Sequence, residues 1–462
     1  MNGVMTQEER RQRDVDLNRE TVTTLEVEEL VKTELKRIAE IIARHPKDKL
    51  LTLVHLINKE TLKYSHQAMD KNKAAGIDGI GKEEYAVNLE ENLENLIQRM
   101  KRQAYKPQPV RRAFIPKDEK SVRPLGIPSY EDKLVQSTMS KILNEIYETE
   151  FKDFSYGFRP KRSCHDALKV LNMTIETKKV NYVVDADIKG FFDNVDHKWM
   201  IKFLEHKIGD PNFIRLVYRF LKAGIMEEGK YLESDKGTPQ GGNMSPILAN
   251  VYLHYVLDLW FDVAVRKGSR GEAYLVRYAD DFVACFQYKE DAHTFYQALK
   301  ERLKEFGLEL SESKTRIIEF GKFAEENRDK RGEGKPETFD FLGFTHYCSK
   351  SVNDKYRVKR KTSRKKLKNK LKVAKTWLRK NMQMSVVHLI EKLNTKLIGH
   401  YRYYGITDNI KMLDNFRYRV TKMMFKVLNR RSQRKSYNKD KFEQLLKNYP
   451  IVKPKIYVNI YG

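Results

Sequence analysis

Two adjacent carboxylates, Asp280 and Asp281, lie between apolar runs in the segment AYLVRYADDFVACF. The β-branched and aromatic residues on both sides predict two strands of a tight hairpin with the acids at its bend. Neighbouring negative charges repel each other, and a bend Asp is usually accompanied by Gly or Asn. A bound divalent cation would make the pair favourable, because carboxylate oxygens are the hard ligands that Mg²⁺ prefers. A solvated acidic turn is the alternative that the hairpin alone leaves open.

A second group of acids lies upstream, in NYVVDADIKGFFDNVDH. The run Tyr182–Val184 predicts a strand that delivers Asp187 at its end. A strand-end carboxylate beside the hairpin pair would suit two cations about 3.5–4 Å apart, the spacing used in phosphoryl-transfer sites. Asp185 alternates onto the same strand face as Asp187, so spacing alone does not choose between them. Asp196, which precedes His197, is predicted to cap the N-terminus of a helix.

Nine blocks of the sequence carry a family resemblance. In chain order they are AGIDGI (75–80), YKPQPVRRAFIPK (105–117), RPLGIPSYEDKLVQ (123–136), SYGFRPKRS (155–163), ADIKGFFDNVDH, GTPQGGNMSPILANVYL (237–253), VRYADDF, LSESKT (310–315) and FDFLGF (339–344). In this order the chain resembles reverse transcriptases of the group II intron-encoded type, from about residue 55 onward. In that family the first catalytic acid precedes Ile-Lys-Gly, which selects Asp187 over Asp185. The resemblance implies that two Mg²⁺ ions are held by Asp187, Asp280, Asp281 and Ile188.

The resemblance also implies a nucleotide site, formed by Lys117, Arg123, Phe192, Gln240, Gly241 and Ile188. Lys117 and Arg123 fall in a stretch predicted as paired strands, and an Arg fork with a Lys charge suits triphosphate oxygens. Phe192 would lie under the incoming sugar and clash with a 2′-hydroxyl, while its strand neighbour Phe191 faces the core. Gln240 would contact the nascent base pair from a glycine-rich bend that opens a helix. Without the resemblance, the basic residues would be assigned to a solvated strand face and Phe192 to the core.

The resemblance implies primer contacts at Lys314, Leu342 and Gly343. The charge pattern predicts RNA contacts at Arg364, Lys365, Lys366 and Lys368, with Arg159 as a further candidate on the fingers. Taken alone, the FLGF turn around Gly343 would be a core strand with a tight bend. The four residues from Arg364 to Lys368 form the densest basic run of the chain, and a solvated helix face is their alternative assignment.

Charge is distributed very unevenly along the chain. Residues 351–462 carry 31 Lys and Arg against 6 Asp and Glu, a surplus of 25 within a total net charge of +26. Such asymmetry indicates a polyanionic partner, and it places nucleic acid near the C-terminal region. There the sequence predicts an amphipathic helix with Leu367, Leu371, Val373, Trp377 and Leu378 as its apolar stripe. A second helix closed by Gly405 and a third over about 411–429 would complete a basic bundle. Its aromatics, Tyr401, Tyr403 and Tyr404, are expected to pack between helices rather than stack on bases.

The predicted fold is α+β, with right-hand polymerase fingers and palm followed by an all-α basic thumb, or maturase, domain. The expected divisions are an N-terminal extension over 1–54 with a helix at Val27–Arg44, fingers and palm over 55–347, the thumb over 348–435, and a short basic tail over 436–462. A chain of 462 residues is long enough for several domains. Three widely spaced cysteines, Cys164, Cys285 and Cys348, suggest neither a disulfide framework nor a zinc site and favour a reducing cytosol.

Function follows from the resemblance as an expectation. The chain would add dNTPs to a DNA primer on an RNA template, and it would also bind intron RNA as a maturase. No apolar run is long enough for a membrane span, so an intracellular bacterial location without a membrane partner is expected. Two alternatives remain: a free-standing reverse transcriptase used by its host in repair or defence, and a splicing cofactor that binds RNA without polymerising. The second is disfavoured, since a protein that only binds RNA gains nothing from mutually repelling carboxylates.

Overall fold

The computed structural model describes residues 27–116, 122–431 and 437–461. Its strands are β1 (Val110–Pro116), β2 (Val122–Ile127), β3 (Tyr182–Asp187), β4 (Ile225–Glu227), β5 (Lys230–Leu232), β6 (Ala273–Tyr278), β7 (Asp281–Phe286), β8 (Arg316–Glu319), β9 (Phe339–Phe341), β10 (Phe344–Lys350) and β11 (Tyr356–Thr362). Its helices are α1 (27–44), α2 (Lys59–Ala68), α3 (Lys82–Ala86), α4 (Leu89–Lys101), α5 (Tyr130–Tyr147), α6 (Cys164–Thr177), α7 (Phe191–Asn194), α8 (His197–Glu205), α9 (Pro211–Leu221), α10 (Ser245–Leu253), α11 (Arg266–Gly268), α12 (Lys289–Glu305), α13 (Ala324–Lys330), α14 (Arg364–Lys380), α15 (Val386–Tyr404), α16 (Ile410–Leu428) and α17 (Lys439–Asn448). Short 3₁₀ and π turns lie at Val54–Leu56, His254–Asp258 and Phe261–Val265. Helices and mainly antiparallel strands are mixed along the chain, which confirms the α+β prediction.

A sheet in the order β6-β7-β3-β8 carries the predicted acids, and we call it the acidic sheet. Its neighbouring strands are antiparallel, and β6 and β7 form the predicted hairpin. Successive side chains of β7 alternate between the two faces of the sheet. Phe282 and Ala284 join one hydrophobic core, whereas Val283 and Cys285 join the other. Both faces of the sheet are therefore covered, and its strand ends are held rigidly.

The two cores receive different parts of the chain. The first lies among the N-terminal helices and α8–α10, with Leu134, Met139 and Leu248 fully enclosed. The second joins α6 and the sheet β11-β10-β9 to the C-terminal helices. A further sheet, in the order β2-β1-β4-β5, extends from the first core. The acidic sheet thus lies between the N-terminal helices and the basic C-terminal helices.

The basic bundle consists of α14, α15 and α16, close to the predicted positions. Ser363 and Ser385 cap the first two of these helices by accepting hydrogen bonds from backbone N–H groups in the first turn. Leu367, Leu371 and Leu378 are buried, as their spacing predicts. Val373 was assigned wrongly to the buried stripe, because its side chain is 65% exposed.

The chain after the bundle packs back onto it. Residues from 437 to 461, which the sequence places in a tail, include α17 and the buried side chains Phe442, Ile451 and Ile460. The hydroxyl of Tyr461 donates to Asp408 Oδ2 at 2.7 Å. The expected division between 347 and 348 falls inside β10, whose pairing with β11 continues to Thr362.

The remaining sequence expectations have structural counterparts. Residues 27–44 form the predicted helix α1, and Asp196 caps α8 by accepting from Trp199 N. Cys164, Cys285 and Cys348 are free thiols. Tyr401 and Tyr404 are buried in the bundle. Within the described residues, no helix has the length and apolar character needed to cross a membrane.

Candidate active site at the hairpin of the acidic sheet

The hairpin between β6 and β7 has a two-residue bend, Ala279–Asp280, because Tyr278 pairs with Asp281. Ala279 has φ +58°, a left-handed conformation that costs an L-residue about 1–2 kcal/mol. Bends of this kind usually carry Asn-Gly, which adopts positive φ easily. The sequence at this bend is therefore unfavourable locally, and surrounding contacts must hold it in place.

Strand register brings two of the predicted acids together. Asp187 at the end of β3 is the direct cross-strand partner of Asp281 on β7. Side chains paired in this way have Cβ atoms about 4.5–5.5 Å apart, and like charges at that distance destabilise a sheet. Burial first, and then the negative charges of Asp185, Asp280 and Asp187, raise the pKa of Asp281 to about 7. The site thus concentrates negative charge at one edge of the sheet, where a cation would relieve the repulsion.

Asp185 has a different environment from Asp187. It is 16% exposed, and Arg316 lies 3.8 Å from its carboxylate. Burial raises the pKa of Asp185 to about 6, opposed by the Arg316 charge. Asp187 is 45% exposed and lies at the strand end, so its carboxylate is the more accessible of the two.

The donor set suits a hard divalent cation. Carboxylates from two adjacent strands provide the oxygen ligands that Mg²⁺ prefers. Among the described residues, no group of three or more His, Cys, Asp or Glu side chains is arranged to hold a metal ion. Instead, Lys314 Nζ donates to Asp187 Oδ2 at 2.6 Å. A cation shared by Asp187 and Asp281 would therefore share the Asp187 carboxylate with Lys314 or displace it.

The LSESKT segment fixes the end of β3. Ser311 N donates to the Asp187 carbonyl at 2.8 Å, and Ile188 pairs with Leu310. The hydroxyl of Thr315 bonds back to the Ser311 carbonyl, which closes the turn. Because the Ile188 side chain is 4% exposed, only its backbone is placed to meet a ligand.

A buried network, missed by the sequence analysis, supports the hairpin bend. Arg277 on β6 is fully buried and forms a bidentate ion pair with Asp258. Its Nη1 donates to the Ala279 carbonyl at 2.9 Å and to Asn250 Oδ1 at 3.0 Å. Asn250 Nδ2 in turn donates to the Gly157 carbonyl at 2.7 Å. The network therefore ties the strained bend to α10 and to the SYGFRP segment.

Gly157 approaches the bend so closely that no side chain fits there. A Cβ at this position would lie 2.3 Å from the backbone nitrogen of Ala279. The one sequence signal for the network was Arg277 itself, a charged residue within an otherwise apolar strand. Its partners are distant in sequence, and pattern alone does not identify them.

The glycine-rich bend lies between the predicted nucleotide-binding residues. Thr238 N donates to the Phe192 carbonyl at 2.7 Å, and Gly126 N donates to the Gln240 carbonyl at 2.6 Å. Gly241 has φ +111°, and a Cβ there would lie 2.8 Å from the Gly126 carbonyl oxygen. These contacts place Gln240 and Gly241 between β2 and the segment that carries Phe192.

Phe192 lies in α7 rather than in a strand, so the alternation argument used for it was wrong. The chain turns at Gly190, which has φ +54°, and becomes helical immediately afterwards. The burial prediction still holds, since Phe191 is 2% exposed whereas Phe192 is partly exposed.

Arg123 is exposed on β2, opposite Ile115 in the predicted pairing with β1. Lys117 lies outside the described residues.

Leu342 and Gly343 form the tight turn between β9 and β10, with φ +49° and +83°. The backbone N–H of Leu342 donates to Asp281, which links this turn to the acidic site. On its other side, Tyr403 Oη donates to the Leu342 carbonyl at 3.0 Å and Ser363 N donates to the Gly343 carbonyl at 3.0 Å. The turn therefore connects the hairpin acids to the basic bundle.

Arg159 is not placed to contact nucleic acid. It is 6% exposed, and its guanidinium binds Glu148 and the carbonyls of Lys152 and Ser155. The interior position arises because the loop before α6 folds back onto the end of α5. Arg159 thus holds that loop, and the sequence-based assignment to the template is corrected.

The basic run Arg364, Lys365, Lys366 and Lys368 is exposed on the first two turns of α14. A cavity of about 750 Å³ extends from Asp281, Leu342 and Gly343 along this helix and α15. Lys366, Lys370 and Lys396 line it together with Trp377. Most of its other lining residues are apolar or aromatic, so three lysines able to contact phosphates stand beside rings on which bases can stack.

Comparison with known proteins agrees with this geometry. Residues 115–346, half of the chain, match the family "Reverse transcriptase (RNA-dependent DNA polymerase)". The Group II intron-encoded protein LtrA of Lactococcus lactis subsp. cremoris is 44% identical over 201 residues, which cover 43% of this chain and 33% of that protein. Protein YkfC of Escherichia coli (strain K12) is 32% identical over 281 residues, covering 54% of this chain and 74% of that protein. An uncharacterized 91 kDa protein in the cob intron of Schizosaccharomyces pombe is 36% identical over 199 residues, covering 43% of this chain and 24% of that protein.

The matched region contains the acidic sheet, the glycine-rich bend and the turn at Gly343. The chain spans about a third of the length of the Lactococcus protein and about three quarters of YkfC. It therefore belongs to the reverse transcriptase family, and within that family it is similar to proteins encoded by group II introns.

Proposed function

We propose that the protein is an RNA-directed DNA polymerase that extends a DNA primer with dNTPs on an RNA template. The observation that carries the proposal is the pairing of Asp187 with Asp281 beside Asp280 at a rigid hairpin. Neighbouring carboxylates at the end of a sheet are costly for stability, and they are useful where cations and phosphate groups meet. A right-hand arrangement, with the acidic sheet as palm and the basic bundle as thumb, accounts for their position between two cores.

Asp187, Asp280 and Asp281, with the backbone of Ile188, would hold two Mg²⁺ ions. When bound, the ions supply charge stabilisation and an acidified primer hydroxyl for phosphoryl transfer. The contribution of the protein is positioning. The Arg277 network holds the bend, Ser311 holds the end of β3, and Leu342 N–H holds the Asp281 carboxylate. Precise placement of reacting groups can lower a barrier by about 7–11 kcal/mol.

The nucleotide would bind between β2 and α7. Arg123 is exposed at the outer part of β2, where its guanidinium can pair with triphosphate oxygens. Gln240 and Gly241 offer backbone and amide groups from the bend that is bonded to both elements. Phe192, partly exposed beside that bend, would exclude a 2′-hydroxyl and so select deoxynucleotides. Lys117 is proposed as the second triphosphate contact on the resemblance alone.

The primer terminus and the product duplex would lie along the cavity between Asp281 and the basic bundle. The turn at Leu342 and Gly343 lies at one end of this cavity, and Lys366 lines its wall. Lys314 would face the primer end, since it already contacts Asp187. The surplus of 25 positive charges after residue 350 supplies a long-range attraction for RNA.

Primer extension tests the proposal directly. A DNA primer annealed to an RNA template, incubated with the protein, four dNTPs and Mg²⁺, should be extended to the template end. Extension should require the template and stop when Mg²⁺ is chelated. Tight binding of the primer–template without any extension would contradict polymerase function and favour an RNA-binding cofactor.

A maturase role, binding of the parent intron RNA, is proposed in addition because similar proteins are group II intron-encoded. The test is selectivity. At 150 mM salt, RNA from an intron that flanks the gene should displace a labelled intron RNA from the protein more effectively than a shuffled RNA of equal length. Equal competition by both RNAs would restrict the protein to general RNA binding and favour a host role.

A further inference from the structure

A cavity of about 250 Å³ lies between α2 and α5, and none of its lining residues belongs to the acidic site. Its polar lining consists of Ser65, Lys73, Ser137, Ser140, Lys141 and Asn243. Among the described residues that line it, there are two lysines and no carboxylate. Hydroxyl, amide and ammonium groups arranged in this way favour an oxyanion.

Lys141 is the central group of this cavity. Its Nζ donates to Ser65 Oγ at 2.7 Å and to Ser137 Oγ at 3.1 Å, both neutral partners. Burial lowers the pKa of Lys141 to about 8, with no acid contributing. A partly buried cation without a counter-charge is unfavourable, and an anion in the cavity would supply that charge.

The hydrogen-bond directions also leave donors for such an anion. Ser65 Oγ and Thr138 Oγ1 share a hydrogen bond at 2.9 Å in which either hydroxyl can donate. Lys141 donates to the oxygens of Ser65 and Ser137 and retains one further N–H. The Ser137 oxygen accepts from Lys141, so the hydrogen of this hydroxyl can still be donated to a ligand in the cavity.

Asn243 connects the cavity to the glycine-rich bend, since it follows Gly241 by two residues. Lys73 Nζ donates to Asn243 Oδ1 at 3.2 Å, and Asn243 Nδ2 donates to the Lys133 carbonyl at 3.0 Å. A ligand in the cavity would therefore contact a residue whose position is coupled to Gln240. The location fits a strand that passes the bend on its way to the acidic site.

We propose that this cavity binds one backbone phosphate of the unpaired template strand, just before the template reaches the glycine-rich bend. The inference rests on the proposed polymerase function. The volume is below the about 300–1,000 Å³ typical of sites for whole small molecules, so a single phosphate group fits better than a nucleotide. With the product duplex on the side of the basic bundle, as proposed above, a template that reaches the glycine-rich bend from the side of α2 and α5 would pass this cavity.

The test is the salt dependence of binding by Lys141→Met. This change keeps the length of the side chain and removes its charge, and it should leave thermal stability equal or higher. With a primer–template that carries a single-stranded 5′ template overhang, the slope of log affinity against log salt should fall by about 0.7, the value for one phosphate of a single strand. With a blunt primer–template the slope should stay unchanged. Lys63→Met is the matched control, since Lys63 lies on α2 with Glu90 as its counter-charge at 2.7 Å.

A second variant, Ser140→Asp, places a carboxylate beside Lys141 and should produce the same loss of slope with higher stability. An unchanged slope in both variants, while the wild type binds the overhang, overturns the phosphate site and leaves the polymerase function intact. Wild-type protein that binds no primer–template contradicts the proposed function itself. Inorganic phosphate at constant ionic strength is the last comparison. If it raises the melting temperature of the wild type but not of Lys141→Met, while the salt slope for the overhang primer–template is the same in both proteins, the cavity takes free phosphate and the template assignment is wrong.

Discussion

The Arg277 network offers a way to separate stability from the positioning of the catalytic bend. Replacing Arg277 with Met keeps much of the side-chain volume and leaves Asp258 buried without its partner. Both side chains of this pair are fully buried. Breaking a buried ion pair on one side costs about 3–5 kcal/mol, because an uncompensated charge remains inside. We therefore expect Arg277→Met to be strongly destabilised.

The double variant Arg277→Met with Asp258→Leu removes both charges. Apolar replacement of a buried pair is often neutral, so the remaining loss comes from the hydrogen bonds to Asn250 and Ala279, about 1 kcal/mol each. The Ala279 carbonyl loses its donor while the backbone keeps its unfavourable φ of +58°. A bend that relaxes by about 1 Å would lower the rate of nucleotide addition about 10²-fold. The double variant should thus be nearly as stable as wild type and much less active.

Denaturant unfolding and single-turnover dNTP addition measure the two effects separately. Arg162→Met is the matched control, because Arg162 forms a more exposed pair with Asp153. Surface pairs contribute about 0–1 kcal/mol, so this variant should remain stable and active. Full activity in a stable double variant would refute the positioning role and leave Arg277 as a partner of Asp258 only.

Three further predictions concern other parts of the protein. Phe192→Val should admit ribonucleotides while dNTP addition continues, as measured by rNTP/dNTP selectivity; equal loss of both activities would indicate a packing role. Changing Arg364, Lys365, Lys366 and Lys368 to Gln should lower the salt slope of RNA binding by about 2–3, and an unchanged slope would move the RNA path off α14. His346→Phe should reduce acid sensitivity, because complete burial first, and Arg360 second, lower the pKa of His346 to about 3. Below the ordinary His pKa near 6.5, only the unfolded state takes up this proton. The wild type should therefore lose about 2 kcal/mol of unfolding free energy between pH 7 and 5 that the variant retains. Equal losses in the two proteins would contradict the assignment.

The parts of the site that the sequence predicts are those with local patterns. The hairpin acids lie between two apolar runs, and Asp187 ends a third, so strand ends and bends follow from alternation. The bundle helices follow from the spacing of their apolar residues. In each case the determining residues are close together along the chain.

The parts that sequence reasoning missed depend on distant partners. Arg277 meets Asp258 and Asn250 only after α10 packs against the sheet, and Arg159 is drawn inward by Glu148. Phe192 is an exception with a local cause: Gly190, just before α7, turns the chain into a helix, and the apolar pattern alone does not reveal this turn. The local sequence around an isolated charged residue does not show whether folding will bury it.

The central claim, that Asp187, Asp280 and Asp281 form the catalytic metal site of a polymerase, is tested most directly by Asp280→Asn. The change removes one charge with little change in shape, and RNA affinity should persist because the basic surface lies on the bundle. Single-nucleotide addition at saturating primer–template and Mg²⁺ should fall by at least about 10³-fold, as for the loss of other groups that stabilise transition-state charge. Near-normal addition by a folded Asp280→Asn protein would contradict the account.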